Sequence, residues 1–244
     1  MKRFGLIGRT LKHSFSKGYF TDKFLQEQRS DCVYELYELD TIGAFPLLVA
    51  ANPDLAGLNV TIPYKKEIIP FLDSLDPHAE AIGAVNTIRF ENGKLEGYNT
   101  DWIGFRNALE PLLGGRSVHA LVLGTGGAAA AVRYALGQMS IPLQSVSRQR
   151  TNENISYEDL DARVLKAHQL IVQTTPLGTW PDVDGLPLLP YEALTPDHLL
   201  FDLVYNPEVT EFLRKGQERG ATIRNGYEML VGQAEAAWEI WQGK

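Results

Sequence analysis

The sequence predicts an α/β fold made of two parts, each a sheet flanked by helices. The chain has 244 residues, a length typical of one large α/β unit or of two domains. Short apolar, β-prone runs alternate with segments of helical length, a pattern typical of right-handed βαβ units. Apolar residues make up 44% and charged residues 22%, as in globular proteins with real cores.

The first half of the chain holds strands separated by short helices. The run Phe4–Gly8 is apolar, and the following helix ends near Gln28, with Phe20 and Phe24 on one face. The Asn-Gly pair at 92–93 lies between two β-prone runs and predicts a hairpin. The remaining elements are strands at 32–39, 55–60, 84–90 and 95–98, and helices at 42–51 and from about Pro63.

The second half repeats the alternation with longer apolar runs. A helix from about Trp102 to Leu113 ends at a Gly-Gly pair, and the domain change is expected at this helix. Four buried strands then follow, which predicts a parallel sheet. These strands lie at 118–123, 143–147, 170–173 and 199–204, and a final amphipathic helix covers about 228–242.

Composition excludes several classes of protein. The net charge of −7 argues against nucleic-acid binding, which depends on a basic surplus. Cys32 is the only cysteine, so neither an intramolecular disulfide nor a cysteine-based zinc site is expected, and no metal is predicted. The first residues resemble a strand rather than a signal peptide, and no apolar run approaches the roughly 18 residues of a membrane span. A cytoplasmic protein is therefore predicted.

A glycine-rich turn follows the first strand of the second half. Gly124 permits a tight turn, Gly126 allows the backbone to approach a pyrophosphate, and Ala129 occupies the third small position. The free N–H groups of the following helix, favoured by its dipole, would hold that pyrophosphate. The pattern favours a dinucleotide site, and the alternative is a glycine turn without a ligand.

The next strand ends where an NAD enzyme usually places an acidic residue for the ribose. Here the chain reads Ser147-Arg148-Gln149-Arg150. Guanidinium groups bind a 2′-phosphate by charge-assisted hydrogen bonds, whereas a carboxylate repels it. NADP is therefore the predicted cofactor, and the alternative is a solvated basic turn.

Polar groups in the first half lie at element ends. Ser14 and Ser16 stand at a helix start, where hydroxyls usually cap the helix but can also bind a carboxylate. Lys65 lies in the first turn of the helix predicted from Pro63, where a cation opposes the dipole, and this favours a working role. Lys66 is interpreted as surface.

Two further polar residues remain ambiguous from spacing. Asn86 lies in a β-prone run, and Asp101 stands at a strand-to-helix turn. Both have a structural interpretation, which for Asp101 is an ordinary helix cap.

Taken in order, eight strings resemble the shikimate dehydrogenase family over nearly the whole chain. They are HSFS, NVTIPYK, GAVNT, GYNTD, GTGGA, TTPLG, DLVYNP and GYEMLVGQA. The resemblance implies an oxidoreductase that reduces 3-dehydroshikimate reversibly with NADPH, on the pathway to chorismate and the aromatic amino acids. It also implies an N-terminal α/β substrate domain over 1–101 and a Rossmann-like NADP domain over 102–227. The C-terminal helix, about 228–244, would return to the first domain.

The resemblance assigns a role to individual positions. Lys65 and Asp101 would be the catalytic pair, with the formal proton donor left open between them. Ser14 and Ser16 would bind the substrate carboxylate. The other substrate-binding positions would be Thr61, Asn86, Tyr205 and Gln233. The cofactor-binding positions would be Gly124, Thr125, Gly126, Gly127, Ala128, Ser147, Arg148, Arg150, Thr175, Leu203 and Gly226.

The chain departs from the family pattern at several positions. Lys17 replaces a frequent proline, Thr125 a frequent alanine, and the family's Asn-Ala-Thr-Pro-x-Gly-Met is Gln173 to Thr179 here. Three alternatives stay open: a quinate/shikimate dehydrogenase using NAD, a non-catalytic dinucleotide sensor, and a one-carbon Rossmann dehydrogenase. The expected partners are small molecules only, and a monomer or a homodimer is expected.

Overall fold

The computed structural model describes residues 1–12 and 14–243, and the chain divides into two compact units. The first unit comprises Met1–Thr100 and Ala234–Lys244, and the second Asp101–Gln233. His13, the first residue of the HSFS string, and Lys244, the last of the predicted returning helix, lie outside the described residues. In the described ranges no helix combines the length and apolar character needed to cross a membrane.

The first unit contains a mixed six-stranded sheet with strand order β2-β1-β3-β5-β6-β4. Strand β1 pairs in parallel with β2 and β3, whereas β5 is antiparallel to β3 and β6. The strands are β1 Lys2–Gly8, β2 Cys32–Glu38, β3 Leu55–Val60, β4 Ser74–Leu75, β5 Thr87–Glu91 and β6 Lys94–Tyr98. The helices are α1 Phe15–Gln26, α2 Phe45–Ala51 and α3 Pro77–Ile82, with 3-10 turns at Ile42–Ala44 and Ile69–Phe71.

The predicted hairpin is confirmed. Glu91 pairs with Lys94, and the two loop residues between them have positive φ, 53° at Asn92 and 76° at Gly93. Asparagine and glycine tolerate this left-handed backbone best, which is why the pair specifies a two-residue turn. The preceding strand begins at Thr87, three residues later than predicted.

The second unit contains six parallel strands in the order β12-β11-β10-β7-β8-β9. The chain leaves β7 in one direction through β8 and β9, and in the other through β10, β11 and β12. This order is that of a doubly wound Rossmann sheet, with its switch point between β7 and β10. The strands are β7 Ala120–Leu123, β8 Leu143–Ser147, β9 Asn154–Ser156, β10 Leu170–Gln173, β11 Leu199–Asp202 and β12 Thr222–Arg224. The helices are α4 Asp101–Leu113, α5 Gly127–Gln138, α6 Ala162–Ala167, α7 Glu211–Gln217 and α8 Tyr227–Trp241.

Helix α8 begins in the second unit and ends in the first, to which its residues belong from Ala234 onward. Within the second unit it crosses α4 closely, because a Cβ added to Gly104 would lie 2.4 Å from the Met229 carbonyl oxygen. Within the first unit Trp241 packs against Phe4 and Phe20, and its indole N–H donates to the Ile88 carbonyl at 3.0 Å. A buried tryptophan contributes large apolar area and has its N–H paired, which fixes this end of α8.

The helix predicted from Pro63 is wrong, because residues 62–68 form successive turns instead. The N–H of Tyr64 donates to Thr61 and that of Ile69 to Lys66, which are spans of three residues. One bond, from the Ile68 N–H to the Tyr64 carbonyl, has the four-residue span of an α-helix, but it is not followed by a second. Pro63 itself donates no backbone hydrogen bond. The dipole-based reason for singling out Lys65 is therefore removed, and its role rests on other observations.

Candidate functional site

Ser14 stands at the N-cap position of α1, but its hydroxyl makes no capping hydrogen bond. The Ser14 Oγ atom is buried and has no hydrogen-bond partner among the described residues. The capping interpretation is therefore wrong for Ser14. A buried hydroxyl without a partner costs free energy, so its retention needs a reason, and a bound polar group would supply one.

Ser16 lies in the first turn of α1, where its hydroxyl interacts with that of Tyr34. The Tyr34 hydroxyl donates to Asn59 Oδ1 at 2.7 Å, and burial raises the pKa of Tyr34 well above its ordinary value. Tyr34 therefore remains a neutral donor. The Ser16 hydroxyl is thus bonded to a buried residue of the first sheet, whereas the Ser14 hydroxyl has no such partner among the described residues.

A buried polar network crosses the first sheet below these serines. Asn59 Nδ2 donates to Thr87 Oγ1 at 3.2 Å and to the Asn86 carbonyl at 3.3 Å. Asn86 Oδ1 accepts from the Thr100 N–H at 2.7 Å and from Thr87 Oγ1 at 3.1 Å, while Asn86 Nδ2 donates to Thr100 Oγ1 at 3.0 Å. These four residues are all buried. Asn86 Oδ1 also lies 3.2 Å from Thr100 Oγ1, so the Asn86 amide is bonded at both its oxygen and its nitrogen.

Lys65 is half-buried in the turns after β3, and its neighbour Lys66 is exposed. The Lys65 carbonyl accepts from the Val85 N–H at 2.7 Å. The segment that holds Val85 is in turn tied to the end of the first unit, because Asn86 bonds Thr100. The next residue, Asp101, begins α4 and is only 7% exposed. A carboxylate at a helix N-terminus is favoured by the dipole.

Thr61 lies directly after β3, half-buried at the edge of the sheet. Its N–H donates to the Ile7 carbonyl at 2.9 Å. A Cβ added to Gly8 would lie 2.6 Å from the Thr61 methyl carbon, so a glycine at position 8 is what allows Thr61 to sit there. The position of Thr61 is therefore determined by the end of β1 as well as by the end of β3.

The glycine-rich turn lies at the switch point of the second sheet. Gly124 has a φ of 117°, and an added Cβ would approach Thr174 Oγ1 to 2.5 Å, so only glycine fits. Thr125 and Gly126 are exposed, and a Cβ on Gly126 would meet no atom within 4 Å. Ala129 is fully buried in α5, which Gly127 and Ala128 open. The open backbone at the start of α5 fits a dinucleotide pyrophosphate.

The turn after β8 presents two arginines that differ in their surroundings. Arg150 pairs with Asp159 at 3.1 Å, whereas Arg148 forms no ion pair within residues 1–12 and 14–243 and is exposed. Burial raises the pKa of Tyr157, and the positive charge of Arg148 opposes that shift, so Arg148 lies near Tyr157. The Ser147 hydroxyl donates to the Gln149 carbonyl, in an exposed hydrogen bond.

The remaining candidate cofactor positions follow β10 and β11. Thr175 donates its N–H and its hydroxyl to Gln173 Oε1, at 3.2 and 3.0 Å. Gly226 packs directly on Leu203, since an added Cβ would lie 2.1 Å from the Leu203 carbonyl oxygen. Asp202, at the end of β11, is fully buried, and burial raises its pKa to about 7.

Tyr205 and Gln233, both predicted to bind substrate, lie in the second unit. Tyr205 is half-buried, and burial raises the pKa of its hydroxyl, which keeps it protonated. Gln233 lies on α8 and its Nε2 donates to the Leu230 carbonyl at 2.9 Å.

Sequence reasoning missed the residues that support these positions. Asn59 was the detectable one, because an asparagine inside an otherwise apolar buried strand requires partners. Tyr34, Thr87 and Thr100 carried no such signal, since tyrosine and threonine are ordinary strand residues. Gln173 was recognised only as a departure from a family pattern.

Comparison with known proteins matches this architecture closely. A family model described as the shikimate dehydrogenase substrate binding domain matches residues 6–88. The shikimate dehydrogenase (NADP(+)) of Desulforamulus reducens is 38% identical over 266 residues, covering 98% of this chain and 89% of that protein.

Solved structures, among them two dehydrogenases, also match over the full chain. The shikimate 5-dehydrogenase of Thermus thermophilus, in complex with NADP(H) and shikimate, is 30% identical with a TM-score of 0.87, covering 100% of this chain and 94% of that one. The quinate dehydrogenase of Corynebacterium glutamicum, in complex with NAD, is 28% identical with a TM-score of 0.89 and the same coverage.

Proposed function

This chain belongs to the shikimate dehydrogenase family, and we propose that it catalyses the reversible reduction of 3-dehydroshikimate to shikimate with NADPH. The family predicted from the eight motifs is thereby confirmed. The first unit would bind the substrate and the second the cofactor. The observation that carries the proposal is the corner of the first unit, where the segments of Lys65, Asn86 and Thr100 are joined by hydrogen bonds immediately before Asp101.

The cofactor would be held by backbone amides and by surface charge. The exposed N–H groups at the start of α5, with Gly124 and Gly126, would receive the pyrophosphate. Arg148, which has no competing carboxylate among the described residues, would pair with the 2′-phosphate. Bound NADPH supplies the hydride for the reaction. Thr125, Gly127, Ala128, Ser147, Arg150, Thr175, Leu203 and Gly226 complete the proposed cofactor-binding set.

Lys65 and Asp101 would perform the proton chemistry. Reduction of a ketone places negative charge on its oxygen, and a cation that donates to this oxygen stabilises the transition state and can deliver the proton. Lys65 supplies that cation. Asp101 would orient the ammonium group and exchange a proton with it or with the substrate hydroxyl.

Substrate recognition would rest on hydroxyl and amide groups. The buried and unpartnered hydroxyl of Ser14 would donate to the substrate carboxylate, together with Ser16. The Asn86 NH₂ group and the Thr61 hydroxyl would bind ring hydroxyls. Gln233 would also bind a ring hydroxyl, and Tyr205 would lie near the substrate carboxylate.

The proposal is tested by following NADPH formation spectrophotometrically with shikimate and NADP. Each assay is repeated with quinate as substrate and with NAD as cofactor. Shikimate-dependent reduction of NADP, faster than any of the other three combinations, is the expected result. No activity with shikimate and either cofactor, from folded protein, would contradict the proposal and would favour a dinucleotide sensor.

A second candidate is a quinate/shikimate dehydrogenase that uses NAD. Two observations favour it: the similarity to a quinate dehydrogenase in complex with NAD, and the pairing of Arg150 with Asp159, which leaves one arginine rather than two for a 2′-phosphate. This candidate predicts quinate turnover with NAD at a rate comparable to shikimate with NADP.

The cellular setting and the assembly follow from the same proposal. An enzyme of this class, with Cys32 as its only cysteine, would work in the reducing cytoplasm. Its partners would be the substrate and the cofactor, and we expect a monomer or a homodimer.

A further inference from the structure

Gln173 is the last residue of β10, at the switch point of the second sheet. It pairs with Leu123 of β7 on one side and with Asp202 of β11 on the other. Its side chain is fully buried, with 0% exposure. A bound dinucleotide cannot touch this side chain, so any influence it has on the cofactor must pass through its neighbours.

The side-chain oxygen of Gln173 holds the turn that follows β10. Oε1 accepts both the N–H and the hydroxyl of Thr175. The adjacent Thr174 donates its N–H and its hydroxyl to the Leu123 carbonyl, at 3.0 and 2.6 Å. Gly124 lies so close that an added Cβ would come within 2.5 Å of Thr174 Oγ1. The turn and the glycine-rich loop therefore fit together with less clearance than one methyl group.

The backbone of Gln173 is linked to a third loop. Its carbonyl accepts from the Leu203 N–H at 2.9 Å, and the Leu203 backbone is the surface on which Gly226 packs. Gln173 is thus bonded to two of the proposed cofactor positions, Thr175 and Leu203, and stands next to the loop that contains a third.

The side-chain nitrogen of Gln173 does not account for a glutamine at this position. Nε2 is buried and has no hydrogen-bond partner among the described residues. An unpaired buried donor is unfavourable, so an apolar side chain would suit this position better if packing were its only task. What glutamine gains here is the acceptor Oε1, which lies one methylene further out than the corresponding atom of asparagine.

We propose that Gln173 is a positioning residue, which fixes the Thr174–Thr175 turn against the glycine-rich loop and thereby sets the affinity for NADP. The proposal rests on the proposed function only in naming NADP as the ligand. Hydrogen bonds that hold a binding loop in its bound geometry raise affinity because less order is lost on binding.

The test replaces Gln173 with methionine, which has similar length and no hydrogen-bonding groups of comparable strength. Isothermal titration calorimetry should show the Kd for NADP raised about tenfold, a change equivalent to about 1.4 kcal/mol. The KM for shikimate at saturating NADP should stay within about twofold. The Thr175 amide should exchange its hydrogen faster, because it loses its acceptor.

The matched control is Gln169→Met, at the position immediately before the same strand. Gln169 also makes side-chain hydrogen bonds, to the His119 N–H and the Lys166 carbonyl. It lies at the amino end of β10, whereas the glycine-rich loop follows the carboxyl end of β7, which is parallel to β10. This variant should leave the Kd for NADP within about twofold.

A second pair of variants keeps the proposal open to refutation if Gln173→Met does not fold. Gln173→Asn retains the amide but shortens its reach, and Thr175→Val removes one of the two donors while keeping the backbone N–H. Both should raise the Kd for NADP, and the double variant should lose less than the product of the two single losses, because both act on one contact.

An unchanged Kd and an unchanged Thr175 exchange rate in a folded Gln173 variant would overturn the proposal. So would an equal rise in the KM for shikimate and the Kd for NADP, which indicates general damage. The calorimetric and exchange measurements need no turnover. A wild type that binds NADP without oxidising shikimate would therefore refute the proposed function and leave this test valid, whereas a wild type that does not bind NADP would refute both.

Discussion

The corner of the first unit and the loops of the second unit hold their candidate site residues in different ways. In the first unit Asn86 is buried and its amide is bonded to Thr87 and Thr100, so recognition by side chains is built into the sheet. In the second unit Gly126 and Arg148 are exposed, and what they offer is backbone N–H groups and a surface charge.

This difference between buried, bonded side chains and exposed loop groups indicates where function and stability are coupled. A ligand with many hydroxyls needs several directional partners, and these are held precisely only when they belong to a packed network. A phosphate is bound by charge and by the N–H groups of a helix end, which any sequence with the right backbone provides. Changes in the buried network of Asn86, Thr87 and Thr100 should therefore affect folding and catalysis together, whereas changes in the loops should affect cofactor affinity alone.

The largest expected effect is that of Lys65→Ala, which tests whether the corner contains the chemistry. General acid–base catalysis typically contributes about 10²–10⁴ in rate, so turnover should fall at least about a hundredfold. Shikimate binding and melting temperature should change little. Lys66→Ala is the control and should be nearly silent, since Lys66 is exposed. A folded Lys65→Ala protein with more than about a tenth of wild-type turnover would exclude this mechanism.

Asp101→Asn extends the same test to the residue that begins α4. It should also be severely impaired in turnover. If the two groups act as one, the double variant with Lys65→Ala should lose far less than the product of the single losses. If the loss of turnover in the double variant equals the product of the two single losses, Asp101 acts independently of Lys65.

The second effect is on folding. Asn86→Ala removes the acceptor of the Thr100 N–H, a buried group whose unpaired state costs roughly 1–3 kcal/mol. Each kcal/mol shifts the melting temperature of a chain of this size by about 2–4 °C, so calorimetry should record a clear fall together with lost activity. Asn107→Ala, on an exposed position of α4, should leave the melting temperature almost unchanged. Activity lost at a wild-type melting temperature would contradict the coupling proposed for the buried network of Asn86, Thr87 and Thr100.

The third effect belongs to the loops and should leave folding untouched. Arg148→Ala should weaken NADP about ten- to a hundredfold and NAD hardly at all, because a charge-assisted hydrogen bond contributes roughly 1.5–3 kcal/mol. Arg150→Ala should have a smaller effect on NADP, since Arg150 is already paired with Asp159. The ratio of kcat/KM for the two cofactors measures this. An equal fall in kcat/KM with both cofactors would show that Arg148 stabilises the fold and does not bind the 2′-phosphate.

The smallest effect separates substrate binding from stability at the start of α1, in the first unit. Replacing Ser14 and Ser16 with alanine should raise the KM for shikimate about tenfold and lower turnover less, because a carboxylate is bound alike in ground and transition states. Ser14→Ala alone should not lower the melting temperature, since its hydroxyl has no partner to lose. A marked fall in melting temperature with normal substrate affinity would restore a structural role for these serines.

The sequence by itself determined the features that depend on neighbouring residues. The Asn92–Gly93 hairpin, the alternation of strands and helices, and the glycine turn at Gly124 all follow from backbone preferences and local periodicity. These signals lie within a few residues of one another, so one chain is enough to recognise them. The roles of the site residues came from the resemblance of motifs, which no local preference supplies.

Only the tertiary structure decided what depends on residues far apart in the chain. The segment after Pro63 forms turns and not the predicted helix, and there the Lys65 carbonyl accepts from the Val85 N–H. The Ser14 hydroxyl, expected to cap a helix, is buried and has no partner among the described residues. The contacts of Asn59 join segments 25 and 28 residues apart. A hydrogen bond over such a separation leaves no periodic trace, because its geometry is fixed by how the strands pack and not by the residues that flank either partner.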